Sequence, residues 1–254
     1  MPAHQEEGLI GGALEALTVA ADRIAPDVET SIVVVANDCT DRTAERASSM
    51  GATVIEIPHA NVGAARAVGF AWLLARDAGR HDRLWLATTD ADSRVPADWL
   101  IAQSEAAAAG ADVYLGTVEL APHAHARFAS WIARYHAAFE SPDRHGHVHG
   151  ASMGMWARSY QRAGGFRALD RSEDVDLVAR LSAAGEDIVW DTTCPVLTSS
   201  RLTARAPAGV SRDLASSLAP APADARVASG DARVASGEVR VASGDTHRAS
   251  LAPR

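Results

Sequence analysis

The chain has 254 residues, of which 47% are hydrophobic, and its formal net charge is −8. Its 24 basic residues are all arginine, which excludes Schiff-base chemistry on lysine and phosphate loops that depend on lysine. An acidic chain without a basic stripe is not typical of nucleic-acid-binding proteins, so no nucleic-acid partner is expected.

Short apolar runs alternate with amphipathic stretches of helical length from residue 1 to about residue 205. The apolar runs predict strands over residues 31–36, 53–57, 84–88, 112–118 and 187–190. The amphipathic stretches predict helices over residues 9–24, 41–50, 62–78, 97–109, 122–139 and 173–184. Strands that alternate with helices indicate an α/β fold, with a Rossmann-like, mostly parallel sheet and helices on both of its faces.

The composition changes at about Pro207, after which the chain is built mainly of Ala, Ser, Arg, Asp, Gly and Pro. A seven-residue unit, DARVASG, occurs at residues 224–230 and again at 231–237, and altered copies follow. Each unit offers only Val and Ala as apolar residues and ends in a helix-weakening glycine, which is not typical of a coiled coil. We predict a folded domain over residues 1–207 and a disordered low-complexity tail over residues 208–254.

No part of the sequence contains the roughly 18 consecutive apolar residues that a membrane span needs, and the start lacks a basic segment followed by an apolar one. We therefore expect no membrane span and a cytoplasmic location. The two cysteines, Cys39 and Cys194, are too few for a disulfide framework or a four-ligand zinc site. Nothing in the sequence indicates an oligomeric state.

Three histidines, His145, His147 and His149, alternate along the chain and so share one side of an extended segment. There they would either bind a metal or lie in a solvated loop. The turn-forming residues beside them favour the loop.

Acidic residues recur beside the predicted strands, in the segments 37–43 (NDCTDRT), 89–93 (TDADS) and 172–176 (SEDVD). Ligands of parallel α/β sheets bind beyond the carboxyl ends of the strands. The pair Asp90 and Asp92 can hold a hard divalent cation whose remaining ligands are substrate phosphates, although an isolated Asp-x-Asp also occurs as a helix-capping turn. The other two acidic segments favour the cation site.

Five segments, in chain order, resemble family 2 glycosyltransferases of the GT-A fold: residues 2–7 (PAHQEE), 37–43 (NDCTDRT), 61–66 (NVGAAR), 89–96 (TDADSRVP) and 173–177 (EDVDL). The resemblance runs from residue 1 to about residue 207. It implies an inverting enzyme that transfers a sugar from a nucleotide diphosphate donor to a hydroxyl acceptor, with Mg²⁺ or Mn²⁺ as cofactor.

The resemblance also implies the residues of the donor site. Ala3, His4 and Glu6 would form part of the wall around the nucleobase and ribose. Asp38 would accept a hydrogen bond from the base, which favours a uridine-type donor. Arg66 would lie near the base or the diphosphate, and Asp90 near the ribose.

By the same resemblance, Asp92 would bind the metal that bridges the two phosphates, and Asp174 would be the catalytic base. A base at Asp174 would deprotonate the acceptor hydroxyl as it attacks the anomeric carbon from the face opposite the diphosphate. A structural alternative makes Asp174 a first-turn helix residue that the helix dipole stabilises, with Ser172 as the cap.

The segment 149–156 (HGASMGMW) and the glycine turn at residues 164–165 resemble the acceptor-side strand of the family and the glycine turn that follows it. We place only His149 and Gly150 near the acceptor, and expect at least two of Met153, Met155 and Trp156 to be core residues. Arg201 is predicted either to contact the diphosphate or to be an ordinary surface arginine.

The family has an apolar strand directly before the segment that begins at Pro2, and that strand is missing from this sequence. We therefore expect the natural chain to start upstream of Met1. Two other functions compete with a glycosyltransferase. A non-catalytic nucleotide-sugar-binding module would not need Asp174, and a sugar nucleotidyltransferase would normally carry a glycine-rich loop with a basic residue in place of residues 2–7.

Overall fold

The computed structural model describes residues 1–26, 28–77, 79, 81–120, 124, 126–137, 139–141, 144–145, 147–201 and 214. The repeat-containing tail predicted from residue 208 onward lies outside the described residues, except for Leu214.

Strands and helices alternate up to about residue 88, as predicted, and beyond it consecutive strands and two consecutive helices interrupt the alternation. In chain order they are β1 (Pro2–Ala3), α1 (Ile10–Arg23), β2 (Val33–Asn37), α2 (Thr43–Ser49), β3 (Thr53–Ile57), α3 (Val62–Arg76), a 3-10 turn (His81–Arg83), β4 (Trp85–Thr88), β5 (Ser93–Arg94), α4 (Trp99–Ala108), β6 (Val113–Leu120), α5 (Ala129–Ala137), β7 (Phe139–Ser141), β8 (Arg144–His145), β9 (Met153–Trp156), α6 (Ala157–Arg162), α7 (Glu173–Ala183) and β10 (Ile188–Thr198).

The first three strands form a parallel sheet in the order β1-β2-β3. Successive side chains of β2 point to opposite faces, so Val34 packs in the cluster that contains Leu14 of α1, whereas Val33 and Val35 pack with Ala65 of α3. Helices therefore cover both faces of this sheet. Strand β1, at its edge, has two residues, whereas β2 beside it has five.

A second sheet has the order β4-β9-β6-β10-β5. Strands β6 and β10 are parallel, but β9 lies between β4 and β6 and runs antiparallel to both. The α/β fold with helices packed on a parallel sheet is confirmed, and β9 and β5 make the second sheet mixed. A third pair, β7 and β8, forms a two-stranded antiparallel sheet.

The largest core cluster fills the space between the second sheet and helices α3, α6 and α7. Strand residues such as Leu115 and Met153 meet Phe70, Tyr160 and Leu177 of these helices there. The rings of Phe70 and Tyr160 meet edge to face, with their centroids 4.9 Å apart. This packing fixes the N-terminal end of α7, on which the predicted base lies.

One residue beyond the predicted domain boundary is packed. Leu214 is fully buried against a cluster that includes Phe128, Trp131 and Tyr135 of the α5 region and Ala151. Packed contacts thus extend past residue 207 at this position, and the boundary between domain and tail stays a prediction.

None of the helices in the described ranges is long and apolar enough to cross a bilayer.

Candidate active site

The residues predicted around the nucleobase lie at the carboxyl ends of two adjacent parallel strands. Ala3 belongs to β1 and is buried, His4 follows it, and Asp38 follows β2. The His4 ring is tied to the next strand, because its Nδ1 lies 2.6 Å from the carbonyl oxygen of Asn37. Ala3, His4 and Asp38 are therefore brought together at the carboxyl ends of these two strands, where ligands of parallel sheets bind.

The backbone at this edge is strained at two residues that are not glycine. Gln5 has a φ of 55° and Asp38 a φ of 52°, which is the left-handed region that L-residues disfavour. Tertiary contacts hold the conformation of Gln5, since its side-chain oxygen accepts hydrogen bonds from the backbone N–H groups of Thr40 and Asp41. Strain that is over-determined in this way is typical of functional loops.

Glu6 and Asp92 share one arginine. The Arg201 guanidinium lies 2.7 Å and 2.6 Å from the two carboxylate oxygens of Glu6, and its Nη2 is 2.9 Å from Oδ2 of Asp92. Glu6 is almost completely buried, and the buried Nε of Arg201 has no hydrogen-bond partner. Arg201 is therefore not an ordinary surface arginine, and of the two sequence interpretations the one that places it in the site agrees with its contacts.

Burial raises the pKa of Asp92 to about 6, and the neighbouring charge of Asp90 adds to the increase, while Arg201 opposes it. A carboxyl group with such a pKa gains from a cation beside it. No group of three His, Cys, Asp or Glu side chains within the described part of the chain could hold a metal alone. The two carboxylates of Asp90 and Asp92 fit Mg²⁺ or Mn²⁺, because proteins bind these ions through one or two carboxylates together with substrate phosphates. Asp92, with Asp90 two residues away, would hold such an ion.

Asp90 and Glu173 share a second arginine. Arg66 of α3 pairs with Oδ1 of Asp90 at 2.5 Å and forms a closer ion pair with Glu173 of α7. The side chains of Arg66 and Glu173 are only 4% and 6% exposed. Burial alone would lower the pKa of Arg66, but the surrounding carboxylates of Asp90 and Glu173 raise it, so the guanidinium stays charged.

Asp174, the predicted base, lies in the first turn of α7. Its Oδ2 accepts a hydrogen bond of 2.8 Å from the backbone N–H of Gly150, and its Oδ1 one of 2.9 Å from that of Val175. The contact with Gly150 brings the predicted base against the predicted acceptor side. Ser172 occupies the cap position of α7, but its side chain makes no capping hydrogen bond and its backbone is left-handed, with φ 58°. The sequence-based interpretation of Ser172 as a side-chain cap is wrong.

A group of polar and aromatic side chains lies on the predicted acceptor side, near Gly150. Tyr135 Oη accepts a hydrogen bond from the backbone N–H of Val118 and lies 3.2 Å from Nε2 of His149. The ring of His147 stacks on Tyr135, with their centroids 4.3 Å apart. Burial raises the pKa of Tyr135 to about 12, so its hydroxyl keeps its proton. Of the three alternating histidines, His147 and His149 lie beside Tyr135, and the side chain of His145 lies outside the described residues.

The other residues of the acceptor-side segment are structural. Met153 and Met155 are fully buried core residues, as expected. The indole N–H of Trp156 donates to the carbonyl oxygen of Ala111, and its ring packs edge-on against Trp85. Trp156 is thus engaged in protein contacts at the end of β9 that lies farther along the chain from Gly150.

The predicted site residues fall into connected groups. His4 and Asp38 lie at the first sheet edge, Glu6 and Asp92 meet through Arg201, and Asp90 is joined through Arg66 to the residue that precedes Asp174. The members predicted from sequence are Ala3, His4, Glu6, Asp38, Arg66, Asp90, Asp92, His149, Gly150 and Asp174.

Sequence reasoning missed the roles of Glu173 and Tyr135. Glu173 stands in the EDVDL segment, and its pairing with an arginine 107 residues away leaves no local pattern. Tyr135 falls on the helix predicted over residues 122–139, where an aromatic residue indicates only core packing.

Residues 1–159 match the family model described as "Glycosyl transferase family 2". No curated protein matches this chain. Among solved structures, S. aureus TarS 1-349 in complex with UDP-GlcNAc matches with a TM-score of 0.57 and 14% identity over 84% of this chain and 62% of that one.

Two other structures have the same fold. The mannosyltransferase PcManGT from Pyrobaculum calidifontis, in complex with GDP-Man and Mn²⁺, matches with a TM-score of 0.53 and 19% identity over 76% of this chain and 54% of that one. Glucosyl-3-phosphoglycerate synthase from Mycobacterium tuberculosis, in complex with Mn²⁺, UDP and glucosyl-3-phosphoglycerate, matches with a TM-score of 0.51 and 15% identity over 85% and 76%.

The chain spans 35% to 62% of the lengths of the TarS chains that it matches. The family model covers more than half of this chain, and the structural matches share its α/β architecture. The chain therefore belongs to glycosyl transferase family 2 and has the GT-A fold.

Proposed function

We propose that this protein is a metal-dependent, inverting glycosyltransferase that moves a sugar from a nucleotide diphosphate, of the UDP type, to a hydroxyl acceptor. The observation that carries the proposal is the connection between the two acidic segments. One buried guanidinium, that of Arg66, contacts both Asp90 of the donor-side loop and Glu173, the residue next to Asp174. The carboxylates expected to bind the donor and the carboxylate expected to act as base thus belong to one network.

The donor would lie across the carboxyl ends of β1, β2 and β4. In this arrangement Ala3, His4 and Glu6 line the nucleobase and ribose, and Asp38 accepts a hydrogen bond from the base. The structures of similar fold contain UDP-GlcNAc, UDP or GDP-Man, which supports a nucleotide-sugar donor. The carboxylate of Asp38 favours uracil, whose ring N–H is a donor.

Asp92 would hold a divalent cation, Mg²⁺ or Mn²⁺, which would supply positive charge beside the diphosphate, whose negative charge increases as it leaves. Two of the similar structures contain Mn²⁺, which supports this assignment. Arg201 lies beside Asp92 and adds a second positive charge there. The chain thus has a way to bind phosphates without lysine.

Asp174 takes the proton of the acceptor hydroxyl, with Gly150 and His149 forming the wall on that side. The acceptor oxygen forms a bond to the anomeric carbon while the bond from that carbon to the diphosphate oxygen breaks. Attack and departure occur on opposite faces, so one displacement inverts the anomeric centre. The backbone N–H groups of Gly150 and Val175 hold the carboxylate for this transfer.

The replacement Asp174→Asn keeps the size of the side chain and removes its basicity. We expect release of nucleoside diphosphate from the preferred nucleotide sugar to fall by roughly 10²-fold to 10⁴-fold, the usual contribution of a general base. The reaction is followed with Mn²⁺ and a panel of nucleotide sugars, with water or added sugars as acceptors.

Asp176→Asn is the matched control, because Asp176 lies on the same helix and pairs with Arg180 and Arg167 instead of facing Gly150. It should release nucleoside diphosphate at nearly the wild-type rate. A near wild-type rate for Asp174→Asn would show that Asp174 is not the base.

A further inference from the structure

The Arg66–Glu173 ion pair lies outside the steps described above, yet it is one of the most buried charged contacts among the described residues. Its two side chains are 4% and 6% exposed. Burying such charges costs desolvation free energy, and replacing a buried ion pair by apolar residues is often neutral or stabilising. Stability alone is therefore a poor reason for placing this pair in the core.

Two glycines make room for the pair. A Cβ at Gly150 would overlap the Arg66 guanidinium, and a Cβ at Gly63 would overlap the carbonyl oxygen of Arg167 and come within 3.1 Å of the Glu173 Cβ. The absence of a side chain at Gly150 leaves space for the Arg66 guanidinium, and its absence at Gly63 leaves space beside Glu173. The Nε of Arg66 also lies 3.4 Å from the Thr88 hydroxyl at the end of β4.

The ion pair lies next to the proposed base, Asp174, both along the chain and in space. Glu173 and Asp174 are consecutive in the first turn of α7, and the backbone of Gly150, packed on the Arg66 guanidinium, donates to Oδ2 of Asp174. Arg66 therefore contacts the residue before Asp174 on one side and the residue that hydrogen-bonds Asp174 on the other. Its third contact is Asp90, on the loop that would hold the donor ribose.

We infer that Glu173 and Arg66 are positioning residues that fix Asp174 relative to the bound donor. Glu173 contacts no substrate; it anchors the start of α7 on Arg66, and Arg66 anchors both to the donor loop through Asp90. The distance between the base and the anomeric carbon is then set by one rigid guanidinium and not by the conformations of two loops. This inference rests on the proposed function, because it requires Asp174 to be the base.

The test compares Glu173→Gln with Glu186→Gln. Glu186 is an equally buried carboxylate, 1% exposed, which accepts a hydrogen bond from the Ser159 hydroxyl and pairs with Arg162 away from the site. For each variant we would measure kcat for nucleoside diphosphate release, the Kd of UDP with Mn²⁺, and Tm. The same protein preparation serves all three measurements.

We expect Glu173→Gln to lower kcat by roughly 10-fold to 100-fold, because small displacements of a catalytic group have effects of this size. The Kd of UDP should stay within about twofold of the wild-type value, since Glu173 does not contact the nucleotide. Glu186→Gln should lower Tm by a similar amount and leave kcat unchanged. A purely structural role for Glu173 would make the two variants alike.

Glu173→Asp is the second variant, since it keeps the charge but withdraws it from Arg66 by one methylene. We expect it to fold and to have a lower kcat than the wild type. It therefore tests the positioning role even if Glu173→Gln does not fold. Wild-type kcat in Glu173→Asp, or equal kcat in Glu173→Gln and Glu186→Gln, would overturn the inference while leaving the proposed function intact. If the wild-type protein released no nucleoside diphosphate from any nucleotide sugar, the proposed function itself would fail.

Discussion

Four carboxylate groups of the candidate site, those of the buried Glu6 and Glu173 and of the partly exposed Asp90 and Asp92, have an arginine as counter-ion. Arg201 serves Glu6 and Asp92, and Arg66 serves Asp90 and Glu173. The planar guanidinium can contact two carboxylates at once, which the compact ammonium of lysine does less well. A chain without lysine can therefore still neutralise a site with this many acidic groups.

A metal bound as proposed at Asp92 would compete with Arg201 for the same carboxylate. Because the Arg201 guanidinium lies 2.9 Å from Oδ2 of Asp92, a cation must displace or share that contact. We expect Arg201→Gln to bind Mn²⁺ in the absence of nucleotide roughly fivefold more tightly, the equivalent of about 1 kcal/mol. The concentration of free Mn²⁺, measured by electron paramagnetic resonance, reports the affinity without any catalytic turnover.

Arg158→Gln removes an ion pair with Asp112 that lies outside the site and serves as the control. Its Mn²⁺ affinity should equal that of the wild type. Weaker Mn²⁺ binding by Arg201→Gln would mean that the arginine assists the bare ion and does not compete with it.

Helix α7 begins with a residue in a strained backbone conformation. Ser172 has a φ of 58° and ψ of 33°, without a side-chain hydrogen bond to the helix. The left-handed conformation costs an L-residue about 1–2 kcal/mol, whereas glycine adopts it freely. The strain lies directly before Glu173 and Asp174, where the Arg66–Glu173 pair and the core packing of α7 together hold the start of the helix in place.

We expect Ser172→Gly to be more stable than Ser172→Ala by about 1 kcal/mol, since alanine keeps the steric strain and glycine removes it. Both variants lose the hydroxyl, so their comparison isolates the backbone. Urea unfolding at equilibrium measures the difference. Equal free energies of unfolding for the two variants would show that residue 172 is not strained in solution.

Local residue patterns predicted most of the helices and strands, and the remaining strands form because they pair with strands distant in sequence. The strand over residues 53–57 has the predicted bounds because it is rich in β-branched residues. Strand β9 (Met153–Trp156) contains no β-branched residue, and its pairing with β4 and β6 is what makes it a strand. Strand β10 was expected to end at residue 190, but it continues to Thr198 because the register shift between Asp191 and Val196 accommodates Pro195.

The site was predictable to the extent that its residues follow strands in a recognisable order. Asp38 and Asp92 could be placed in this way, and the resemblance to the family supplied Asp174. The arginine partners could not be placed by pattern alone, since Arg201 and its partner Glu6 are 195 residues apart. A charge that acts across the fold leaves no periodic signal in the sequence.

The two sheets carry different residues of the candidate site. The three-stranded parallel sheet carries the residues expected around the nucleobase, at the ends of β1 and β2. The five-stranded sheet carries Asp90 and Asp92 after β4, and Gly150 just before β9. The Arg66 guanidinium, on a helix that packs on the first sheet, reaches the second sheet at Thr88.

Calorimetric titration of UDP at pH 7.5, with and without Mn²⁺, measures whether donor binding depends on a metal held by Asp92. We expect the wild-type protein to bind UDP at least about tenfold more tightly with Mn²⁺, and Asp92→Asn, of nearly the same size, to lose this enhancement. UDP affinity that does not change with Mn²⁺, or an undiminished enhancement in Asp92→Asn, would show that Asp92 does not hold the metal.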